Sequence, residues 1–165
     1  MEAEKTKIGN NQHFQTPDWC CELMASLVPS GTKLVLEPTP GAGNLVKALK
    51  SINLDVISPE GDFFNYDLSS GPKCVVGNPP FSPMKNGYKM LYKCMEYADS
   101  IIMLMPWLAI INGEKRTADI KTFGLNKIIH LPRSTFKGSR VQCCILVMNR
   151  GFSGDTIFEV PKRSV

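Results

Sequence analysis

Apolar residues along the chain fall into two alternating kinds of segment. Short continuous runs at 33–37 (KLVLE), 54–58 (LDVIS), 74–77 (CVVG), 101–105 (IIMLM), 126–131 and 142–148 have strand length, and most are bounded by Gly, Pro, Asn or Ser. Between them, apolar residues return every three or four positions. Trp19, Leu23, Met24 and Leu27 form one such stripe, and Met90, Leu91, Cys94 and Met95 form another within 88–98. Segments 45–49 and 115–123 complete the set of expected helices. The first helix is expected to begin at Thr16-Pro17-Asp18, with Thr16 capping, Pro17 at the first helical position and Asp18 at the positive end of the dipole. Pro29-Ser30-Gly31 should end it, and a last short strand is expected over 156–160.

This alternation of strands and helices indicates an α/β domain around a mainly parallel sheet. The run 101–105 is apolar at every position, as in a strand buried on both faces. Ligands of such sheets bind outside the carboxyl ends of the strands. Three loops belong at that edge: the turn after 33–37, the segment after 74–77, and the basic loop PRSTFKGSR after Leu131.

Composition narrows the class. The chain has 165 residues, 43% hydrophobic and 21% charged, which fits one ordinary globular domain and excludes a disordered or coiled-coil protein. The longest apolar run, 101–111, is broken by Pro106 and falls short of the roughly 20 residues that span a membrane. Residues 1–13 are polar and resemble a mobile arm rather than a secretory signal, which leaves 14–165 as a single domain. The six cysteines form two adjacent pairs, Cys20-Cys21 and Cys143-Cys144, plus Cys74 and Cys94, with no Cys-x-x-Cys spacing and only two histidines, His13 and His130. Neither a zinc site nor a disulfide framework is expected. Reduced thiols suit a cytoplasmic protein, a virus-encoded one included. The net charge of +4 is compatible with nucleic acid without identifying it.

The turn Glu37-Pro38-Thr39-Pro40-Gly41-Ala42-Gly43 follows a strand and precedes a helix. Its glycines allow a sharp turn and a close backbone approach to a ligand. It is not a phosphate-binding loop, because no Gly-Lys-Ser/Thr follows, and Val46 stands where a third dinucleotide-fingerprint glycine would be. A carboxylate at the strand end suits a ligand with positive charge or hydroxyls, and S-adenosylmethionine, with its ammonium and sulfonium, has that chemistry. Glu60 lies 17 residues after Gly43, where a carboxylate can accept from ribose hydroxyls. Gly61-Asp62-Phe63-Phe64 follows at once. The plain alternative is a strand–helix turn with surface acids.

Asn78-Pro79-Pro80-Phe81 carries the most information. Consecutive prolines stiffen the backbone and remove its donors. The Asn78 side-chain oxygen and the Pro79 carbonyl can then face one point as fixed acceptors, the natural partners of an exocyclic amine. Phe81 offers a face for stacking a planar ring. The plain alternative is a proline-stiffened loop with a capping Asn.

NPPF after a parallel strand, with EPTPGAG upstream, resembles the S-adenosylmethionine-dependent amino-methyltransferases, above all the DNA adenine-N6 methyltransferases. FQTP at 14–17 and GDFF at 61–64 resemble that family's cofactor motifs, and the later strands resemble the rest of its domain in the same order. The resemblance implies a Rossmann-like class I methyltransferase fold, mainly parallel with an antiparallel C-terminal hairpin. By position, Thr16 and Pro17, with Glu37, Pro38, Gly41 and Gly43, would hold the methionine part of S-adenosylmethionine. Glu60 would bind ribose, and Asp62 and Phe63 the adenine ring. Asn78, Pro79, Pro80 and Phe81 would form the catalytic set, and Phe136 would pack on the target base from the other side. Arg133, Lys137 and Arg140, alongside Lys85, would contact DNA, whereas Lys115-Arg116 and Lys162-Arg163 are expected to be solvated surface.

The chain departs from the family in two ways. Only 13 residues separate Glu60 from Cys74, so one strand-helix unit is expected to be missing and the sheet short by a strand. Nor does anything resemble a target-recognition domain, so target reading would fall to loops, a homodimer or a separate specificity subunit. RNA base methyltransferases and protein glutamine methyltransferases share the NPP motif and remain alternatives, as does a catalytically silent subunit supporting a partner enzyme.

Overall fold

The structure is a computed structural model that describes residues 15–162. The expected arm at 1–13, Phe14 of FQTP and Arg163 lie outside these residues. The chain runs α1 (Asp18–Ser26), β1 (Leu34–Leu36), α2 (Asn44–Ser51), β2 (Asp55–Ile57), β3 (Cys74–Gly77), α3 (Met84–Tyr97), β4 (Ser100–Pro106), α4 (Leu108–Ile111), α5 (Glu114–Gly124), β5 (Leu125–His130), β6 (Cys143–Asn149) and β7 (Ile157–Glu159). Single 3-10 turns lie at Phe63–Asn65 and Arg133–Thr135.

All the strands join one sheet in the order β2-β1-β3-β4-β6-β5-β7. The pairs β2-β1, β1-β3 and β3-β4 are parallel, and β6 runs antiparallel between β4 and β5. The carboxyl ends of β1, β3, β4 and β5 therefore share one edge.

Period-two alternation divides the core between the two faces. On β4, Ile102 and Leu104 face a layer with Met24 of α1 and Leu45 and Leu49 of α2. Ile101, Met103 and Met105 face Leu91 and Cys94 of α3 and Ile120 of α5. The unbroken apolar run of β4 is thus explained by burial on both sides. Each fully buried side chain of this kind contributes roughly 1.5–3 kcal/mol relative to an exposed one.

Between β2 and β3 the described chain makes one 3-10 turn and no further strand or α-helix, consistent with a lost strand-helix unit at the β2 edge. The sheet still has seven strands, because β7 adds to the opposite edge, parallel to β5. All six cysteines are buried and free. Burial pushes the Cys20, Cys74 and Cys94 thiols up to about 12, which keeps them protonated and inert. Among the described residues no helix is long and apolar enough to cross a membrane.

Candidate active site

The loops leaving β1 and β3 are tied together by side chains. Glu37, directly after β1, is 1% exposed. Its Oε1 accepts from the Thr39 backbone N–H at 2.9 Å and from the Thr39 hydroxyl at 3.3 Å. The same hydroxyl lies 3.0 Å from the Asn78 carbonyl, so its single proton is shared between the two acceptors. Asn78 Nδ2 in turn donates to Thr16 Oγ1 at 2.9 Å. One hydrogen-bonded chain, Glu37–Thr39–Asn78–Thr16, therefore links the glycine turn, NPPF and FQTP.

This arrangement corrects the expected start of α1. Pro17, with extended backbone, takes the N-cap position, and no side chain caps the helix. The Thr16 hydroxyl meets Asn78 instead of a helix N–H. Bonding across the site has displaced local capping, the competition that hydroxyl side chains always face. With Nδ2 committed to Thr16, the other polar atom of the Asn78 amide is Oδ1, an acceptor.

Glu37 carries the main electrostatic anomaly. Its Oε2 is buried with no hydrogen-bond partner among the described residues. Burial pushes the carboxyl up from its ordinary value to about 7, against the lowering effect of the two Thr39 bonds. A buried orphan carboxylate oxygen is costly unless a donor or cation meets it. Glu37 also lines a cleft of about 460 Å³, a size typical of small-molecule sites, together with Thr16, Gly41, Asp62, Phe63 and Asn78.

Glycine makes the convergence possible. Gly41 and Gly43 have φ of +52° and +87°, the left-handed region that other residues resist, and the turn they form leads directly into α2. A Cβ on Gly77 would lie 3.1 Å from Pro38 Cδ, and one on Gly87 of α3 would lie 2.9 Å from the Pro80 carbonyl oxygen. These two glycines let NPPF pack against the first loop on one side and against α3 on the other. Sequence reasoning did not single them out. The available signal was a glycine closing a strand immediately before NPPF and another inside a helix, where glycine is otherwise unfavourable. Gln15, whose Oε1 accepts from the Ala42 N–H at 3.3 Å, and Thr39 were also missed, because both act through contacts made only in the fold.

The far wall of the cleft is the 3-10 turn after β2. Asp62 caps it by accepting from the Phe64 N–H at 3.0 Å. Phe63 is buried in the core and Phe64 is 40% exposed, with the rings edge-on at 5.9 Å. Lys93 of α3 clamps the turn, donating to the carbonyls of Phe63, Phe64 and Tyr66 at 2.7–2.9 Å and lying 4.8 Å from the Phe63 ring centre. Glu60 is exposed and lies outside the residues that line the cleft.

Of the catalytic set, Asn78 and Pro80 line the cleft, Pro79 is buried, and Phe81 is half-buried against both core layers at the end of the sheet. Phe136 is 6% exposed, within the core layer that holds Leu131 and Cys143. Arg133, Lys137 and Arg140 are exposed on the loop after β5, and none forms an ion pair with a described residue. Arg116 departs from its expected solvated role. It donates to the carbonyls of Ala109, Leu108 and Asn112 at 2.7–3.1 Å, closing the short α4, and its guanidinium stacks 3.8 Å from the Tyr88 ring centre. Lys115 is exposed and pairs with Asp119, and Lys162 is exposed.

With this geometry in view, the chain is similar to a candidate class I S-adenosylmethionine-dependent methyltransferase from Listeria monocytogenes, with a TM-score of 0.69 at 16% identity over 90% of this chain and 66% of that one. The fold is that of the class I methyltransferases. A type I restriction-modification methyltransferase subunit from Streptococcus thermophilus matches with a TM-score of 0.69 at 14% identity over 89% of this chain and 47% of that one. The 23S rRNA methyltransferase ErmE matches with a TM-score of 0.58 at 18% identity, over 87% of this chain and 72% of that one. The chain thus spans about two thirds of the length of the first neighbour and about half that of the second. No family model and no curated protein sequence matches it.

Proposed function

We propose that the protein is an S-adenosylmethionine-dependent methyltransferase whose acceptor is the exocyclic N6 amine of adenine in DNA. The observation that carries this reading is the hydrogen-bonded chain from Glu37 through Thr39 and Asn78 to Thr16, which brings three expected motifs into one cleft. The residues present fit the cofactor. The orphan Oε2 of Glu37 suits an ammonium group, the Gly41–Gly43 turn leaves room for a close backbone approach, and the Asp62–Phe64 turn offers an aromatic wall. When bound there, S-adenosylmethionine supplies a methyl group on an electrophilic sulfonium.

The chain's own residues supply position and polarity. An adenine amine is a weak nucleophile because its lone pair is shared with the ring. Asn78 Oδ1 and the Pro79 carbonyl, about 3 Å from the amine, would accept its protons and localise that pair on nitrogen. Phe81 would stack on the base and hold it in line, so orientation provides much of the acceleration. The amine is unreachable in a stacked duplex, so the base must be flipped out or already unpaired. Arg133, Lys137 and Arg140 would hold phosphates.

The likeness to a restriction-modification methyltransferase subunit supports DNA, and the likeness to an rRNA methyltransferase keeps RNA as the second reading. Methyl transfer from labelled cofactor to DNA, RNA and a glutamine peptide separates the three substrates. Mass spectrometry of the released nucleosides should show N6-methyladenine from DNA. Methylation of RNA or peptide alone would replace this reading.

A further inference from the structure

One aromatic cluster has no part in the cleft just described. Trp107 directly follows β4, His130 ends β5, and Phe158 is the middle residue of β7. Trp107 Nε1 donates to His130 Nδ1 at 3.1 Å, with ring centres 5.8 Å apart. The Phe158 ring lies 5.9 Å from Trp107 and 6.5 Å from His130, and all three rings are mutually tilted by 43–53°. Phe158 pairs in register with Ile128, so it shares a sheet face with Ile128 and His130. Trp107 and His130 are half-buried, but Phe158 is 61% exposed. Phe158 therefore leaves most of its ring in water on an edge strand while the rest joins Trp107 and His130, so the three rings form one partly exposed aromatic cluster.

Position and charge indicate what binds. β4 neighbours β3, the strand that delivers Asn78, while β5 and β7 lie three and four strands from β3. At about 4.8 Å per strand this is roughly 15–20 Å along the carboxyl edge, the length of about five stacked nucleotides or fewer unstacked ones. Across 120–154 the sequence contains no acidic residue and six lysines and arginines. Three of the six are engaged within the fold: Lys121 with Gly154, Lys127 with Glu159, and Arg150 with Ala98 and Asp99. The other three, Arg133, Lys137 and Arg140, lie on the loop that begins immediately after His130. A partly exposed aromatic cluster beside cations that form no ion pair with a described residue offers the ring faces and charge that an unstacked nucleic-acid strand uses.

We propose that Trp107, His130 and Phe158 form a stacking platform for a base flanking the target, while Arg133, Lys137 and Arg140 hold the adjoining phosphates. The proposal rests on the nucleic-acid reading above and adds a second base-binding position to it. The Trp107–His130 hydrogen bond fixes two of the rings before the strand arrives, so little ordering remains to oppose binding.

The test measures binding of a short fluorescein-labelled single strand, in DNA and RNA versions, by anisotropy over a series of salt concentrations. Phe158→Ala should weaken binding roughly 5- to 150-fold, the effect of one lost stacking contact. It should leave the salt slope unchanged, since no cation is removed. Phe158→Tyr should restore affinity, and calorimetric titration with S-adenosylmethionine should give the same constant for all three proteins. If Phe158→Ala binds the strand as the unaltered protein does, the platform is wrong while the nucleic-acid reading stands. If the unaltered protein binds neither DNA nor RNA, the nucleic-acid reading itself fails. If Phe158→Ala instead abolishes a concentration-dependent self-association seen by sedimentation velocity, with strand binding intact, the face is a protein interface and the proposal is overturned.

Discussion

At β1 and β3 the loops leaving the sheet are bonded to each other; at the other end, the loop after β5 and the edge strand β7 face water. The first pair is held by Glu37, Thr39, Asn78 and Thr16, which are buried or half-buried and linked at 2.9–3.3 Å. The second presents Arg133, Lys137, Arg140 and Phe158, all exposed. A reacting amine must be held to within a fraction of an ångström, and only internal bonds fixed before binding achieve that. A polymer strand is gathered over a wider area by charge and stacking, which tolerate mobile side chains. On the proposed function, the same sheet edge would serve chemistry at one end and capture at the other.

This contrast can be broken experimentally, beginning with the largest effect. Asn78→Ala should lower methyl transfer by about 10²–10⁴-fold, the range for a positioned proton acceptor, with little change in cofactor affinity. Labelled-methyl transfer beside calorimetry measures both, and full activity in the variant removes Asn78 from the mechanism. Next, replacing Arg133, Lys137 and Arg140 together with alanine should weaken DNA binding and reduce the slope of log affinity against log salt by about 2–3. Cofactor affinity should not change. A fall in cofactor affinity would mean that the two ends are not separate.

A third effect is pH-dependent. Because burial holds the Glu37 carboxyl at about 7, the folded protein keeps a proton between pH 4.5 and 7 that the unfolded chain has released. Stability of the cofactor-free protein should therefore fall as pH rises through that window, by on the order of 3 kcal/mol in total. Cation binding has the opposite sign, since it needs the ionised form. Cofactor affinity should rise about fivefold from pH 6 to pH 7, before the cofactor's own ammonium begins to lose its proton, and Glu37→Gln should flatten that rise. The smallest effect belongs to Thr16→Val. Losing one hydrogen bond to Asn78 should lower kcat by about three- to tenfold with KM for the cofactor nearly constant. A change confined to KM would make Thr16 a cofactor contact rather than a positioning residue.

Much of the scaffold was readable from the pattern of apolar positions. The unbroken run 101–105 announced a strand buried on both faces, and β4 places Ile102 and Leu104 on one side and Ile101, Met103 and Met105 on the other. The turn Gly41–Gly43 was legible because left-handed backbone selects glycine locally. The short interval between Glu60 and Cys74 pointed to the missing unit because a strand and a helix need more chain than that. Arg116 was misread because its value lies in three carbonyls and a tyrosine that the fold brings to it.

The sequence by itself determined which elements form, and it marked the residues at 37–43 and 78–81 as chemically unusual. These are consequences of periodicity, glycine and proline, which act over a few residues. Only the tertiary structure decided that Thr16 bonds Asn78 rather than its own helix, that Thr39 bridges Glu37 and Asn78, that Gly77 and Gly87 let the loops close, and that Trp107, His130 and Phe158 meet. Each of these joins residues distant along the chain. Such partners are chosen by the packing of the sheet and its helices, and no local pattern encodes them.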